Sequence, residues 1–397
     1  MPELSGRVKT FTDSVIRRMT RINNQQPDSI NLSQGFPDFD PPEPILKRLA
    51  EVAYEGPHQY STTWGADNIR QALADKYSPT YGWTIDPDTE ICVTCGSTEA
   101  MMATVMTVCD PGDKVIVFSP FYENYGADAI LSGAEPVFVP LEPPDFGFDP
   151  DRLEAAFAQG AKAIIVCNPS NPTGKVFSRE ELSVIARLAT RYDAFVITDE
   201  VYEHIIYPPS THVPMASLPG MSGRTITCNS LSKTYSMTGW RLGFIIGPER
   251  IIEAARKVHD FLTVGAAAPL QEAACVGLRL GPDYYQKLQA LYTHKRDLFC
   301  GGLADLGYTI SWPQGTYFVM VDIGDLLSLD RFAGMTDLEF CEWMIREYGV
   351  AAVPGSSFFH EPVNRYIRFH FARGDEILTE CLKRLAKMAE LLPAHAA

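Results

Sequence analysis

Lys233 follows an apolar run and sits among small hydroxyl residues, in Ser230-Leu231-Ser232-Lys233-Thr234-Tyr235-Ser236. An amine that attacks a carbonyl must first lose its proton, which a partly desolvated setting promotes. Ser230 and Arg241 lie close enough along the chain to meet an anionic group beside that amine. A solvated lysine in a serine-rich loop accounts for the same residues. Asp199, in Thr198-Asp199-Glu200-Val201-Tyr202, follows the apolar run Ala194–Thr198. An acid at the carboxyl end of a strand points into the crevice where α/β folds take ligands. Facing a ring nitrogen there, it would keep that nitrogen protonated; capping the next helix is the plainer alternative. Asn171 is fixed in a rigid turn by the two prolines of Asn168-Pro169-Ser170-Asn171-Pro172-Thr173-Gly174. It is placed to donate to a ligand oxygen, or the segment is simply a turn. In Cys95-Gly96-Ser97-Thr98-Glu99-Ala100, a strand-to-helix junction offers hydroxyls and free N–H groups to a phosphate, or is an ordinary helix start.

These residues need a scaffold that brings strand ends together. Short apolar runs read as strands at Glu90–Cys95, Lys114–Ser119, Pro136–Pro140, Ala163–Cys167, Ala194–Thr198, Thr225–Asn229 and Leu242–Ile246. Several are apolar throughout, as strands buried on both faces are. Helical patterns such as Thr98–Cys109, Asp151–Gln159 and Arg179–Arg191 alternate with them. The alternation predicts an α/β fold with a mostly parallel seven-stranded sheet flanked by helices. From residue 281 onward, long helices (Pro282–Leu306, Asp337–Glu347, Asp375–Leu392) surround short strands at Tyr317–Asp322 and Tyr366–Phe371. That region reads as a smaller α+β domain, completed by the N-terminal arm. The expected division is 1–45 for the arm, 46–285 for the large domain and 286–397 for the small one, with a long helix near 280–300 as the link. The Pro41–Pro44 cluster ends the arm as an extended break.

The chain has 397 residues and a formal net charge of −15, which argues against a nucleic-acid footprint or an anionic membrane surface as partner. The longest apolar runs fall far short of the ~20 residues of a spanning helix. The N-terminus lacks the apolar core of a signal peptide. Nine scattered cysteines fit a reducing cytoplasm. Cys92 and Cys95 form a lone C-x-x-C, read as small apolar residues of a buried strand. The eight histidines show no metal-ligand spacing, so no metal is expected.

In order along the chain, the four segments resemble those of fold type I pyridoxal-phosphate enzymes, of the class I/II aminotransferases. The resemblance runs from Leu32-Ser33-Gln34-Gly35-Phe36-Pro37-Asp38-Phe39 to Arg368-Phe369-His370-Phe371. Ser230 to Gly243 and the Asn-Pro-x-Asn-Pro-Thr-Gly turn carry most of its specificity. The opening segment is similar to the branch of kynurenine, glutamine and methionine aminotransferases and cysteine-conjugate β-lyases. The resemblance implies pyridoxal 5′-phosphate as cofactor, with Lys233 as its Schiff-base partner and proton carrier. Asp199 would pair with the pyridine nitrogen; Tyr202 and Asn171 would bond the phenolic oxygen. Gly96, Ser97, Thr98, Ser230, Ser232 and Arg241 would hold the phosphate, and Tyr122 would stack on the ring. Arg368 and Gly35 would receive the substrate α-carboxylate, with Asn171 and Tyr122 beside it. Tyr60 would reach the phosphate of a neighbouring subunit, which implies a homodimer with shared sites.

The resemblance also implies transamination between an L-amino acid and a 2-oxo acid. β-Elimination on the same cofactor, or a non-catalytic ligand sensor of the same fold, are the alternatives. One departure concerns the substrate side chain. The branch often carries an aromatic–His pair where this chain has Leu262-Thr263-Val264-Gly265-Ala266-Ala267-Ala268-Pro269, which is small nearly throughout. Trp64 and Tyr60 remain as candidate aromatic walls.

Overall fold

The computed structural model describes residues 2–9 and 14–392. Residues 10–13 of the arm and the tail 393–397 lie outside the described residues. The main sheet runs Ile91–Thr94, Gly243–Ile246, Thr225–Ser230, Phe195–Asp199, Ala161–Cys167, Lys114–Ser119, Glu135–Glu142 and Gly147–Phe148. The five strands from Thr225–Ser230 to Glu135–Glu142 are parallel. Gly243–Ile246 joins the first of them antiparallel. The sheet has eight strands where seven were expected. The extra one, Gly147–Phe148, is a two-residue antiparallel edge, too short for periodicity to reveal.

Apolar runs form the central strands because both sheet faces are covered. In Ala161–Cys167, Ile164 and Val166 enter one core, while Ala163, Ile165 and Cys167 enter the other. Ile116 and Phe118 divide from Val115 and Val117 in the same way. A side-chain period of two sends successive residues to opposite faces. The helices start where the sequence caps them. Ser178 accepts from the Glu181 amide while Glu181 accepts from the Ser178 amide, opening Arg179–Arg191. Thr336 and Glu339 do the same for Asp337–Tyr348.

A four-stranded antiparallel sheet follows, in the order Thr309–Ser311, Phe318–Asp322, Tyr366–His370, Val353–Pro354. The N-terminal arm packs into the same region: Ile30–Asn31 pairs in parallel with Val350–Ala351, and Met19 and Leu32 are buried among the C-terminal core residues. The break expected over Pro41–Pro44 is shorter: a helix runs Glu43–Glu55 and takes Pro44 into its first turn, where the missing N–H of proline has no helical partner to lose. The 24-residue helix Pro282–Asp305 joins the two regions. Leu288, Tyr292, Phe299 and Leu303 enter the C-terminal core, and Tyr284 touches both that core and one beneath the main sheet. No helix among the described residues is long and apolar enough to cross a membrane.

Candidate active site

A cavity of about 500 Å³ lies where the carboxyl ends of three parallel strands converge. Cys167, Asp199 and Ser230 are the last residues of those strands. This is the crevice position expected of a parallel sheet.

On one side the cavity is built for an anion. The helix Ser97–Val108 starts there with no side chain capping its first turn, so amides near Ser97 and Thr98 face the opening. Gly96, at φ +84°, precedes it. A Cβ at Gly96 would lie 2.4 Å from Arg241 Nη2, so only glycine lets the guanidinium close over the turn. Arg241 is itself left-handed, at φ 54°, and its Nη1 donates to the Thr238 carbonyl at 3.1 Å. Ser230 Oγ accepts from the Ser232 amide at 3.3 Å, and Ser232 Oγ is buried with no partner among the described residues. Glu99 braces this turn. Its carboxylate accepts from the Cys95 amide and Thr263 Oγ1 and pairs with His259 Nδ1 at 2.6 Å. Burial pushes Glu99 up, but those bonds outweigh it and hold its carboxyl below the usual range.

In the middle, Lys233 Nζ donates to the Gly35 carbonyl at 3.3 Å and lies 5.8 Å from the Tyr202 ring centre. Asp199 is buried, and burial raises its carboxyl to about 6. Tyr125, donating to Oδ2 at 2.8 Å, the Val201 amide and the Lys233 charge all pull it back. Tyr122 lines the cavity and packs edge-on to Tyr125, centres 5.9 Å apart. Tyr202 is buried and packs edge-on to Tyr317.

At the far end Arg368 is fully buried, 1% exposed. Its Nη1 donates to Asn171 Oδ1 at 2.6 Å and its Nη2 to the Ser33 carbonyl at 3.0 Å. The Phe318 and Phe358 rings flank the guanidinium, centres 4.1 and 4.6 Å away. Its Nε has no partner, and it makes no ion pair with an acid among the described residues. Burial lowers it to about 10, so it stays charged at neutral pH. Gly35 lies alongside, where a Cβ would lie 2.5 Å from the Phe318 ring.

Two expected residues fall outside this cavity. Tyr60 is 89% exposed and does not line it. Trp64 is no wall either: it packs under Arg256, 4.9 Å from the guanidinium carbon, against the core. The apolar lining comes instead from Ile16, Phe36 and Phe318. Sequence reading also missed Tyr125, whose signal was weak: it sits three residues after Tyr122, one helical turn on. A second omission is a group of Glu200, Glu203 and His212, with ligand atoms within 4.8 Å of one another. His212 Nε2 meets Glu200 Oε2 at 2.9 Å, and Glu203 Oε1 accepts from Asn229 Nδ2 at 2.9 Å and from the Tyr77 hydroxyl. Each acid thus has its own hydrogen-bond partners.

Asp128 lies one turn beyond Tyr125, buried, with Oδ2 unpaired. Burial first, then the Asp199 charge, push its carboxyl up to about 8. A raised folded value means stability is lost as pH rises from the unfolded value near 3.8 through 8. Asp128→Asn should therefore gain stability over the wild type across that window, by a few kcal/mol at its upper end. Denaturant melts at pH 5 and pH 9 check it: a gain that does not grow with pH refutes the assignment.

The family model for aminotransferase class I and II matches residues 27–385. The methionine aminotransferase of Escherichia coli (strain K12) is 36% identical over 365 residues, 92% of this chain and 93% of that protein. Kynurenine–oxoglutarate transaminase 3 of Homo sapiens is 36% identical over 377 residues, 89% of this chain and 83% of that one. Among solved structures, the N-succinyldiaminopimelate aminotransferase of Mycobacterium tuberculosis superposes with a TM-score of 0.92 at 34% identity, covering 97% of this chain and 100% of that one. Cradle, acid, amine and buried guanidinium stand in one cavity of a chain matched over this length, and the chain belongs to the class I and II aminotransferases, pyridoxal-phosphate enzymes that move an amino group between an amino acid and a 2-oxo acid.

Proposed function

We propose that this one cavity performs both halves of the exchange, with Lys233, Asp199 and Arg368 as its central groups. The observation that carries the reading is the buried Arg368, its Nε without a partner and in no ion pair with an acid among the described residues, beside Lys233 and Asp199. The residues fit pyridoxal phosphate. The Gly96 turn, the unpaired Ser232 hydroxyl and Arg241 suit a phosphate, and the raised Asp199 carboxyl suits a cationic ring nitrogen. When bound, the cofactor supplies an electron-poor ring that accepts the electron pair left as the substrate's α-proton departs.

The chain's own groups do the rest. Asp199, kept ionised by Tyr125, holds the ring nitrogen protonated. Tyr202 donates to the phenolic oxygen. Asn171 presents its Nδ2 there, because Arg368 already occupies its Oδ1. Tyr122 covers one ring face. Arg368 receives the α-carboxylate bidentately, with Gly35 backbone close by, which orients the α-hydrogen. Lys233 Nζ would take and hand on the proton of the substrate α-carbon.

The reading extends to a homodimer in the cytoplasm. Tyr54, Tyr60 and Phe261 are 92%, 89% and 92% exposed, and large bare aromatics favour a covering partner. Tyr60 would then serve the partner's site. The nine free cysteines suit a reducing compartment. We also keep the division into arm, large and small domains at 1–45, 46–285 and 286–397.

Mixing the holoenzyme with each common amino acid tests the activity. A suitable donor should convert the cofactor's absorbance to that of its amine form, and a 2-oxo acid should restore it. Silence across the panel sinks the reading. Pyruvate and ammonia released from a cysteine conjugate without any 2-oxo acid would favour elimination.

A further inference from the structure

Behind the phosphate cradle, Glu99 is paired with a histidine whose surroundings fix its charge. His259, on the helix Glu249–Thr263, is fully buried. Its Nδ1 meets Glu99 Oε1 at 2.6 Å, and its Nε2 meets the Thr63 carbonyl oxygen at 2.8 Å. Thr263 Oγ1 lies 3.5 Å from Nδ1, but its own proton goes to Glu99 Oε1 at 2.7 Å. Both ring nitrogens therefore face acceptors.

A neutral imidazole carries one N–H and could serve only one of them. A proton shared between ring and carboxyl sits on the ring, because imidazole is the stronger base. The Cys95 amide and the Thr263 hydroxyl also bond the carboxylate, which favours its ionised form. His259 is thus an imidazolium. Burial favours the neutral ring, but Glu99 and the Thr63 carbonyl outweigh it and raise the pKa above the ordinary histidine value. The charges facing the ring are Glu99, from the helix Ser97–Val108, and Asp260, from its own helix. Arg256, three residues before His259, is turned to the Trp64 ring. Cys95 is the other titratable group beside Glu99, and Arg241 lies across Gly96 from it.

Glu99 stands where a carboxylate is awkward. It is in the first turn of the helix whose amides face the cavity. A negative charge there competes with a phosphate for the helix's positive end and repels it. Yet this carboxylate shapes the turn, since it accepts from the Cys95 amide just ahead of Gly96. Among the described residues its one ion pair is with His259. We propose that His259 is a positioning residue for the cofactor's phosphate: it lets Glu99 brace the cradle while cancelling the charge that would drive the phosphate out. The proposal rests on pyridoxal phosphate occupying this cavity.

Proton loss from His259 leaves Glu99 uncompensated, so phosphate affinity falls as pH rises through the folded value. By linkage, a bound phosphate raises that value. The test compares pyridoxal 5′-phosphate with pyridoxal, which lacks the phosphate, on the full-length protein freed of cofactor. The ratio of their dissociation constants cancels the pH effects that the two share. At pH 7 the phosphate is already almost doubly charged. From there to pH 10 the advantage of the phosphorylated form should fall roughly tenfold in wild type, within the range of couplings between linked sites. His259→Gln should show the reduced advantage at every pH. Glu99→Gln keeps an acceptor for the Cys95 amide and a donor for neutral His259, so its advantage should stay high and flat. The double variant His259→Gln, Glu99→Gln should regain most of what His259→Gln loses, which a packing role for His259 would not allow. Nitrogen NMR should find both His259 nitrogens protonated in the holoenzyme at pH 7, with a higher titration midpoint than in the cofactor-free protein. A neutral ring at pH 7, a wild-type advantage that ignores pH, or a double variant no better than His259→Gln would each overturn the proposal. If His259→Gln does not fold, the wild-type and Glu99→Gln profiles decide it. A protein that binds neither compound would overturn the cofactor reading beneath it.

Discussion

Lys233→Ala is expected to give a folded protein that binds pyridoxal phosphate without a covalent bond and turns over no amino acid. The side chain leaves a half-buried position whose one hydrogen bond among the described residues goes to the Gly35 carbonyl. Little packing is lost, and the melting temperature should hold within a few degrees. The chemistry loses both its attachment point and its proton carrier. A positioned acid–base group alone contributes ~10²–10⁴-fold, so kcat should fall by at least that much. Borohydride reduction followed by mass spectrometry should find the cofactor on the Lys233 peptide in wild type and nowhere in the variant. Covalent labelling at another lysine, with activity retained, would refute the assignment.

The second large effect belongs to Arg368. Arg368→Ala should cut kcat/KM for amino acids by roughly 30- to several-thousand-fold, the 2–5 kcal/mol at stake when one partner of a buried charge pair is removed. Arg368→Lys should recover little, because an ammonium cannot reproduce two parallel bonds to a carboxylate and one to Asn171. An amine substrate without an α-carboxylate should react at nearly the wild-type rate with both variants. That comparison separates loss of a carboxylate grip from general damage. The protein itself should not be destabilised strongly by loss of the charge. In the free enzyme this buried cation forms no ion pair with an acid among the described residues, and the more distant Glu123 charge does not outweigh its burial, so its removal also removes a desolvation cost. An equal loss with both kinds of substrate would end the carboxylate assignment.

The parts of this molecule that were legible from sequence are those governed by local pattern. Lys114–Ser119 and Arg179–Arg191 fall where the apolar run and the helical pattern put them. Leu242 was drawn into a strand that starts at Gly243, because left-handed Arg241 delays the extended backbone. The site was legible wherever a residue type and a turn coincide: Gly96 before a helix, Asn171 between prolines, Asp199 at a strand end. What escaped depended on the third dimension. Tyr125 reaches Asp199 across 74 positions. His212 finds Glu200 only after the intervening chain doubles back, and Trp64 turns into the core beneath a cation that periodicity does not locate.

Asp199 and Ser230 end neighbouring interior strands, whose amides are paired on both edges. Such amides exchange with deuterium only when the whole domain lets go, whereas the first amides of the rim helix Val15–Asn23, at Val15 and Ile16, hang on one carboxylate, that of Glu123. The slowest deuterium uptake should map to the floor under the cofactor, and the fastest to the strip of chain from Ser14 to Arg17. A protease would nick that strip long before the floor, leaving the cofactor's colour behind.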